Sequence, residues 1–313
     1  MGLNSFYANI ISPWLRKTEF GERIDMAIIA FNANFQFAKF MYAESDSKIL
    51  SEGEIEDIFS DLDTISIEVI KRFMKRQYKA LPNSLMIHPK YFYSENENTE
   101  YRKLLKDFDK AVKHFKLPRH LVGPESLYYH HGLRFAPDFI KKNISGKLFG
   151  DVGGYLGDST LVFSKYEPKK IIIFEPEKKL IAKLKKTLKN NQLKNENYDI
   201  HPIGLSDTSG LFNGMHCSTL DEIRSTYTTP FGVIKADIEG MGAAFLRGAI
   251  KTIKRDRPLL SLAIYHNEDE LVGIYKMIKS WNLDYHIEIR SLNPHAPHGE
   301  ITLIAYPKEW SLK

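Results

Sequence analysis

Between Glu54 and Lys79 the apolar positions Ile55, Ile58, Phe59, Leu62, Ile65, Val69, Ile70 and Phe73 follow one another mostly at steps of three and four. That interval lays an apolar stripe along one face of an α-helix. Ser51 and Glu54 stand at capping-box spacing ahead of it and Pro82 bounds its end, so the stretch predicts one amphipathic helix or two stacked end to end. A second helix is predicted from Asn98 to His114, stopping before Pro118. The aromatic and turn-rich stretch 84–98 between them reads as loop. Residues 1–125 thus form a mainly helical N-terminal region, whose helices are also a candidate surface for self-association into a homo-oligomer.

From about Ser145 the pattern changes to short runs rich in β-branched residues: 147–154, 170–175, 198–204, 231–238 and 258–265, with helical periods between most of them. Such alternation argues for βαβ crossovers and a mostly parallel, buried sheet. The last two runs, 285–291 and 300–307, are joined by a stretch bearing Pro and Gly that is too short for a crossover helix, which predicts an antiparallel hairpin. The expected architecture is a Rossmann-like α/β sheet over residues 126–313, closed by that hairpin and preceded by the helical region.

Composition narrows the class. With 313 residues, 43% of them hydrophobic and 12% aromatic, the chain can build a substantial core, so disordered and fibrous classes are excluded. Cys217 is the single cysteine, which excludes an internal disulfide framework and multi-cysteine zinc or iron–sulfur sites and suits a reducing compartment. The opening residues lack the pattern of a secretory signal and no run of about 18 apolar residues occurs, so a cytoplasmic protein without a transmembrane segment is expected. The net charge of +5 is a weak field. Much of the excess lies at 178–194, where Leu180, Ile181, Leu184 and Leu188 keep helical spacing among lysines; a crossover helix with a solvated face accounts for it better than nucleic acid does.

The first candidate for chemistry is the turn Asp151-Val152-Gly153-Gly154-Tyr155-Leu156-Gly157-Asp158, which ends the first run. Glycines there let the backbone approach a ligand closely. Glu175 ends the second run, where a carboxylate can accept both hydroxyls of a ribose. A dinucleotide pocket would show G-x-G-x-x-G, and this turn does not. Gly153 and Gly157 lie four apart with Asp151 ahead of them, a spacing that favours S-adenosyl-L-methionine.

The motifs DVGGYLGDST, IIIFEPE, TLDEI (219–223), IKADIEGMGAAFLRGA (234–249), LLSLAIYH (259–266) and EITLIAYP occur in this order. Together they resemble the FkbM family of S-adenosylmethionine-dependent methyltransferases over residues 126–313. The resemblance implies a class I methyltransferase fold of seven strands, the last antiparallel, and O-methylation of hydroxyls on sugars, glycoconjugates or other secondary metabolites. It carries Asp151, Gly153, Gly154, Tyr155, Gly157, Asp158, Glu175 and Ser206 to the cofactor. The family's common turn has Asn where this chain has Tyr155.

A sugar hydroxyl, with a pKa near that of water at roughly 15, needs a base or a cation when it attacks the methyl group. Candidates belong at the carboxyl ends of the central strands. His266 ends the fifth run, and its ordinary pKa near 6.5 suits a base. Asp237 could contact the cofactor amine, orient His266 or bind a metal. Glu239 could act there or cap a helix. Lys235 could stabilise an alkoxide or form a buried ion pair. At the hairpin, Arg290, His295, His298 and Glu300 cluster in sequence; substrate contact or a solvated turn is favoured over a metal, with Glu300 first. Tyr128–Gly132, with His131, could cover the cofactor or hold a sugar ring, although core packing also explains it.

Two other classes compete. A nicotinamide-dependent oxidoreductase is disfavoured by the glycine pattern, and a non-catalytic nucleotide-cofactor-binding module would keep the fold alone. Nucleic-acid methylation is disfavoured because the fourth run ends in ADIEG rather than in the Asn/Asp-Pro-Pro-aromatic motif of amine methylation.

Overall fold

The computed structural model describes residues 50–80, 94–212, 214–293 and 300–312. The chain to residue 49, the segment 81–93 and the hairpin loop 294–299 with His295 and His298 lie outside the described residues.

The N-terminal amphipathic stretch forms two helices, α1 (Glu52–Ile58) and α2 (Thr64–Ala80). Ser51 and Glu54 close the capping box: the Ser51 amide donates to Glu54 Oε2 (2.9 Å) and the Glu54 amide to Ser51 Oγ (3.3 Å). The helix is interrupted where Asp63 accepts the Ser66 amide (2.6 Å), which starts α2. Asp61, in the interruption, bonds Tyr275 and Lys279. Helix α3 (Glu95–Val112) starts before Asn98, because Ser94 and Glu97 make a second capping box. Glu97 also pairs with Arg76 at 2.7 Å, tying α3 to α2.

After a short helix α4 (Pro124–Leu127) and α5 (Asp138–Ile144), strands and helices alternate. They run β1 (Leu148–Val152), α6 (Asp158–Phe163), β2 (Lys170–Phe174), α7 (Lys178–Asn190), β3 (Tyr198–His201), β4 (Gly204–Leu205), β5 (Gly210–Phe212), β6 (Met215–Ser218) and α8 (Leu220–Arg224). They continue with β7 (Phe231–Ala236), α9 (Gly242–Arg247), α10 (Ile250–Asp256), β8 (Leu259–Ala263), α11 (Ile274–Ser280), β9 (Tyr285–Asn293) and β10 (Glu300–Pro307). The main sheet has seven strands in the order β3-β2-β1-β7-β8-β10-β9. The neighbours β1 to β3, β7 and β8 pair parallel, and β10 pairs antiparallel with both β8 and β9. Among the described residues no helix is long and apolar enough to cross a membrane.

Period-two alternation divides the buried strands between two cores. Val152, Ile172, Phe174, Ile234 and Leu260 face one side with α9, α10, α11, α1 and α2. Phe149, Ile171, Ile173, Val233 and Leu259 face the other with α5, α6 and α7. The run 198–204 is two elements rather than one. Pro202, which has no amide to donate, ends β3, and the chain leaves for a separate sheet of order β4-β6-β5 that periodicity did not reveal.

Helix α2 covers the edge strand β9. Ser66 is fully buried, and its Oγ accepts the Ile289 amide (2.9 Å) and Arg290 Nη1 (2.9 Å). Truncating it leaves a buried amide without an acceptor. Ser66→Ala should therefore cost about 1–3 kcal/mol of stability, read as a lower urea midpoint at unchanged m-value; an unshifted midpoint would show that the edge amide finds another partner.

Candidate active site

A cavity of about 520 Å³ opens at the carboxyl ends of β1, β2 and β7. The glycine turn makes its floor. Gly153 has φ +84°, and a Cβ there would lie 2.1 Å from the Asp237 carbonyl oxygen, so only glycine lets the turn cross the end of β7. Gly154 and Gly157 do not line the cavity; they admit Ile173 and the α7 residues Leu184 and Leu188. Tyr155 also has positive φ, 43°, and stands at the cavity mouth.

Beneath the turn, Lys235 is buried and its ammonium donates to the Gly153 carbonyl (2.7 Å) and the Val152 carbonyl (3.4 Å) and pairs with Asp151 (3.3 Å). Burial opposes its charge, but the carboxylates of Asp151, Asp237 and Asp158 outweigh burial and hold its pKa above the usual lysine value. Asp151 is fully buried; its second oxygen accepts the Thr160 hydroxyl (2.7 Å), and it supports the turn from below rather than lining the cavity.

At the end of β2, Glu175 lines the cavity with both oxygens held by backbone amides: Oε2 by Tyr155 (3.0 Å) and Oε1 by Glu177 (2.9 Å). Burial raises its pKa against those two bonds. Beside it, Leu180, Ile203, Leu205, Met215 and Cys217 make an apolar slot, half of it supplied by the small sheet. A carboxylate fixed next to such a slot can hold a ribose whose base lies between apolar walls.

The opposite wall is polar. Asp158 lines it, its pKa raised by burial against a hydrogen bond from Ser126. His131 lies behind Ser159 with Nε2 2.8 Å from the hydroxyl, and burial holds it neutral, well below the ordinary histidine range. Glu300, at the start of β10, and Glu125, in α4, complete this wall. Asn293 bonds both carboxyls. Burial and the neighbouring Asp158 and Asp237 push Glu125 up to about 7. Burial and Glu125 push Glu300 well above the carboxylate range.

Asp237 and Glu239 line the third side, at the end of β7. Glu239 takes a left-handed φ of 52° and leaves its carboxylate exposed. His266 does not line the cavity. It stands behind this pair, with Nε2 3.5 Å from Asp237 Oδ1 and 3.8 Å from Glu239 Oε2, and Nδ1 2.7 Å from Glu270.

Besides Asp151, Gly154, Gly157 and His266, two more expected residues do not line the cavity. Arg290 is drawn to the start of α2, where Asp63 (2.7 Å) and Ser66, with Glu288 of its own strand (2.7 Å), hold its guanidinium. Ser206 sits at the end of β4, its amide bonded to the Ser218 carbonyl. Glu125, Ser126 and Glu270 were not singled out by sequence reasoning. The Gly123-Pro124 turn was a signal for the first two, and the four-residue step from His266 for the third. Among the described residues no group of three or more His, Cys, Asp and Glu is arranged to hold a metal ion.

No protein-family model and no curated protein matches the chain. Solved structures do. The FkbM methyltransferase of Methylobacillus flagellatus superposes with a TM-score of 0.55 at 20% identity, over 80% of this chain and 58% of that one. The chain thus spans less than two thirds of that protein's length. An O-methyltransferase of Bacillus cereus, in complex with S-adenosylhomocysteine, gives a TM-score of 0.44 at 14% identity, over 77% of this chain and 100% of that one. An rRNA methylase of Streptococcus thermophilus gives 0.42 at 12% identity, over 54% and 92%. With its strand order and the antiparallel β10 between β8 and β9, the chain has the class I methyltransferase fold expected from its sequence.

Proposed function

We propose that this protein is an S-adenosyl-L-methionine-dependent O-methyltransferase whose acceptor is a hydroxyl of a sugar or glycoconjugate. The observation that carries the reading is Glu175, held by two amides at the end of β2 and facing the slot beside the Gly153 turn. This suits a ribose and a purine, and the glycine turn has no cradle for a pyrophosphate. The FkbM-like motifs of the sequence support the same cofactor. When bound, it supplies a methyl group on a sulfonium, which leaves as a neutral thioether.

The chain's own task is alignment and proton management. Asp158 and Asp237 put carboxyl groups where an ammonium would be received. The acceptor hydroxyl belongs beside Asp237, with its proton passing to the Asp237–His266 pair as the oxygen takes the methyl carbon and the electrons of the broken bond stay on sulfur. Glu125, Glu300 and Asn293 offer hydrogen-bonding groups at hydroxyl spacing for the rest of a polyhydroxylated acceptor. Lys235 is committed to the turn and takes no part in charge stabilisation at the acceptor.

Calorimetric titration should find that S-adenosylhomocysteine binds and NAD does not; NAD binding alone would sink the reading. Glu175→Ala should weaken S-adenosylhomocysteine at least about tenfold, the loss of one charge-assisted contact of roughly 1.5–3 kcal/mol, and an unaltered dissociation constant would refute the ribose role. His266→Ala should abolish transfer and leave that affinity nearly unchanged.

The acid pair of the cavity wall makes stability pH-dependent. A carboxyl whose pKa is raised on folding keeps its proton in the folded chain and loses it in the unfolded one. Its contribution is full below the ordinary carboxyl range and is lost as pH rises to about 7, the value of Glu125. The melting temperature should fall from pH 5 to pH 8, and Glu125→Gln, which cannot ionise, should reduce that fall; equal slopes would show that Glu125 is ionised in the folded chain.

A further inference from the structure

Past the end of β8, the chain runs Tyr265-His266-Asn267 and turns into the wide helical turn Asp269–Gly273 that leads to α11. Glu270 returns beneath His266, four residues on, and accepts from Nδ1 at 2.7 Å. It is 1% exposed, and its other oxygen accepts the Gly242 amide at 2.9 Å. A Cβ at Gly242 would lie 2.8 Å from that oxygen, so the glycine opens the room the carboxylate occupies. Asn267 fixes the arrangement from the other side, accepting the Glu270 amide (2.8 Å) and donating to the Gly240 carbonyl (3.2 Å). The opposite ring nitrogen, Nε2, is buried without a hydrogen-bond partner and faces Asp237 on the cavity wall.

We propose that Glu270 is the positioning residue of the proton-accepting pair: by holding Nδ1–H of His266 it fixes the tautomer whose Nε2 lone pair is presented towards Asp237 and the acceptor. The inference rests on the proposed methyl transfer and extends it to a residue outside the cavity. A histidine with only a structural role has its ring nitrogens satisfied; here one is clamped by a carboxylate, and the other is buried without a hydrogen-bond partner behind Asp237, which lines the cavity. The charged groups facing the ring are Glu270 from its own segment and Asp237 and Glu239 from the connection after β7, while Tyr265 stacks at 4.1 Å. Burial favours the neutral ring, but these carboxylates outweigh it and hold the imidazole above its ordinary range. The pair accepts a proton only once the ring is neutral, so transfer should rise with pH through that raised value.

The test is the titration of the His266 imidazole, followed by nitrogen-detected NMR on the full chain saturated with S-adenosylhomocysteine, in wild type, Glu270→Gln and Glu270→Asp. The neutral wild-type ring should be the Nδ1–H tautomer. Its midpoint should drop by about one pH unit or more in Glu270→Gln and recover in Glu270→Asp. The acid limb of kcat/KM should move with the midpoint, while the KM for S-adenosylmethionine stays within about twofold. An Nε2–H tautomer in wild type, or a midpoint and limb unmoved in Glu270→Gln, would overturn the proposal. Should Glu270→Gln not fold, the wild-type tautomer and Glu270→Asp decide. Failure of S-adenosylhomocysteine to bind would instead overturn the proposed function, and the titration of the free chain would still decide the role of Glu270.

Discussion

The ammonium of Lys235, enclosed between β1 and β7, holds the site together. It reaches two carbonyls of the glycine turn and the carboxylate of Asp151, so a lysine of β7 is met by three acceptors from β1 and the turn that follows it. An isolated buried charge of this kind would cost several kcal/mol, and a pair with its remaining protons satisfied escapes most of that cost. The consequence is geometric. With its carbonyl drawn down to the ammonium, Gly153 crosses the end of β7 in a conformation only glycine takes. The Tyr155 amide beyond it then meets Glu175, so the acid of β2 is oriented by a turn that a lysine of β7 holds in place. Three strands are coupled at the point where open α/β sheets bind ligands.

The same charge conditions the polar wall. Asp158, Asp237, Glu125 and Glu300 face a cavity whose lysine, Lys235, is already engaged by Asp151 and the glycine turn. Four carboxyls this close cannot all ionise at full cost, and the protons retained by Glu125 and Glu300 relieve the repulsion. A wall of this composition is poorly matched to phosphates and well matched to hydroxyls, which donate to carboxylates, and to an ammonium. That electrostatic balance supports the proposed neutral, polyhydroxylated acceptor.

Much of the fold was legible in the sequence because its signals are local. The runs ending at Val152, Phe174, Ala236 and Ala263 are mostly apolar and buried along nearly their whole length, as strands covered on both faces must be. The Ser51–Glu54 box marked a helix start. The same box at Ser94–Glu97 went unread because its surroundings look like loop. The strand after Pro202 was hidden because β4 has two residues and β5 is exposed throughout, so neither carries a period. At the site, Glu175 was legible from its place at a strand end. Arg290 misled because its partners are distant in sequence: Asp63 and Ser66, at the start of α2, take its guanidinium. Glu125 and Glu270 come to the site by tertiary placement.

Tyr155 shows how a turn can hold a residue in a conformation that its type disfavours. The position takes a left-handed φ. Asparagine enters that region several-fold more readily than most residues, whereas a tyrosine there stores of order 1 kcal/mol of strain or more. The conformation is over-determined on both sides: Gly154 is held by the Phe174 carbonyl (3.1 Å), and the Tyr155 amide by the carboxylate of Glu175. The charge-assisted bond is worth about as much as the strain, so the turn keeps its shape without asparagine. What changes is the mouth of the cavity. The half-exposed Tyr155 ring stands there with Met215 and Met241, also partly exposed, where asparagine would have left a small polar group. An aromatic face beside two flexible thioethers suits an apolar ring face, and because Met215 also belongs to the slot beside Glu175, the tyrosine stands where the proposed cofactor pocket opens to the proposed acceptor.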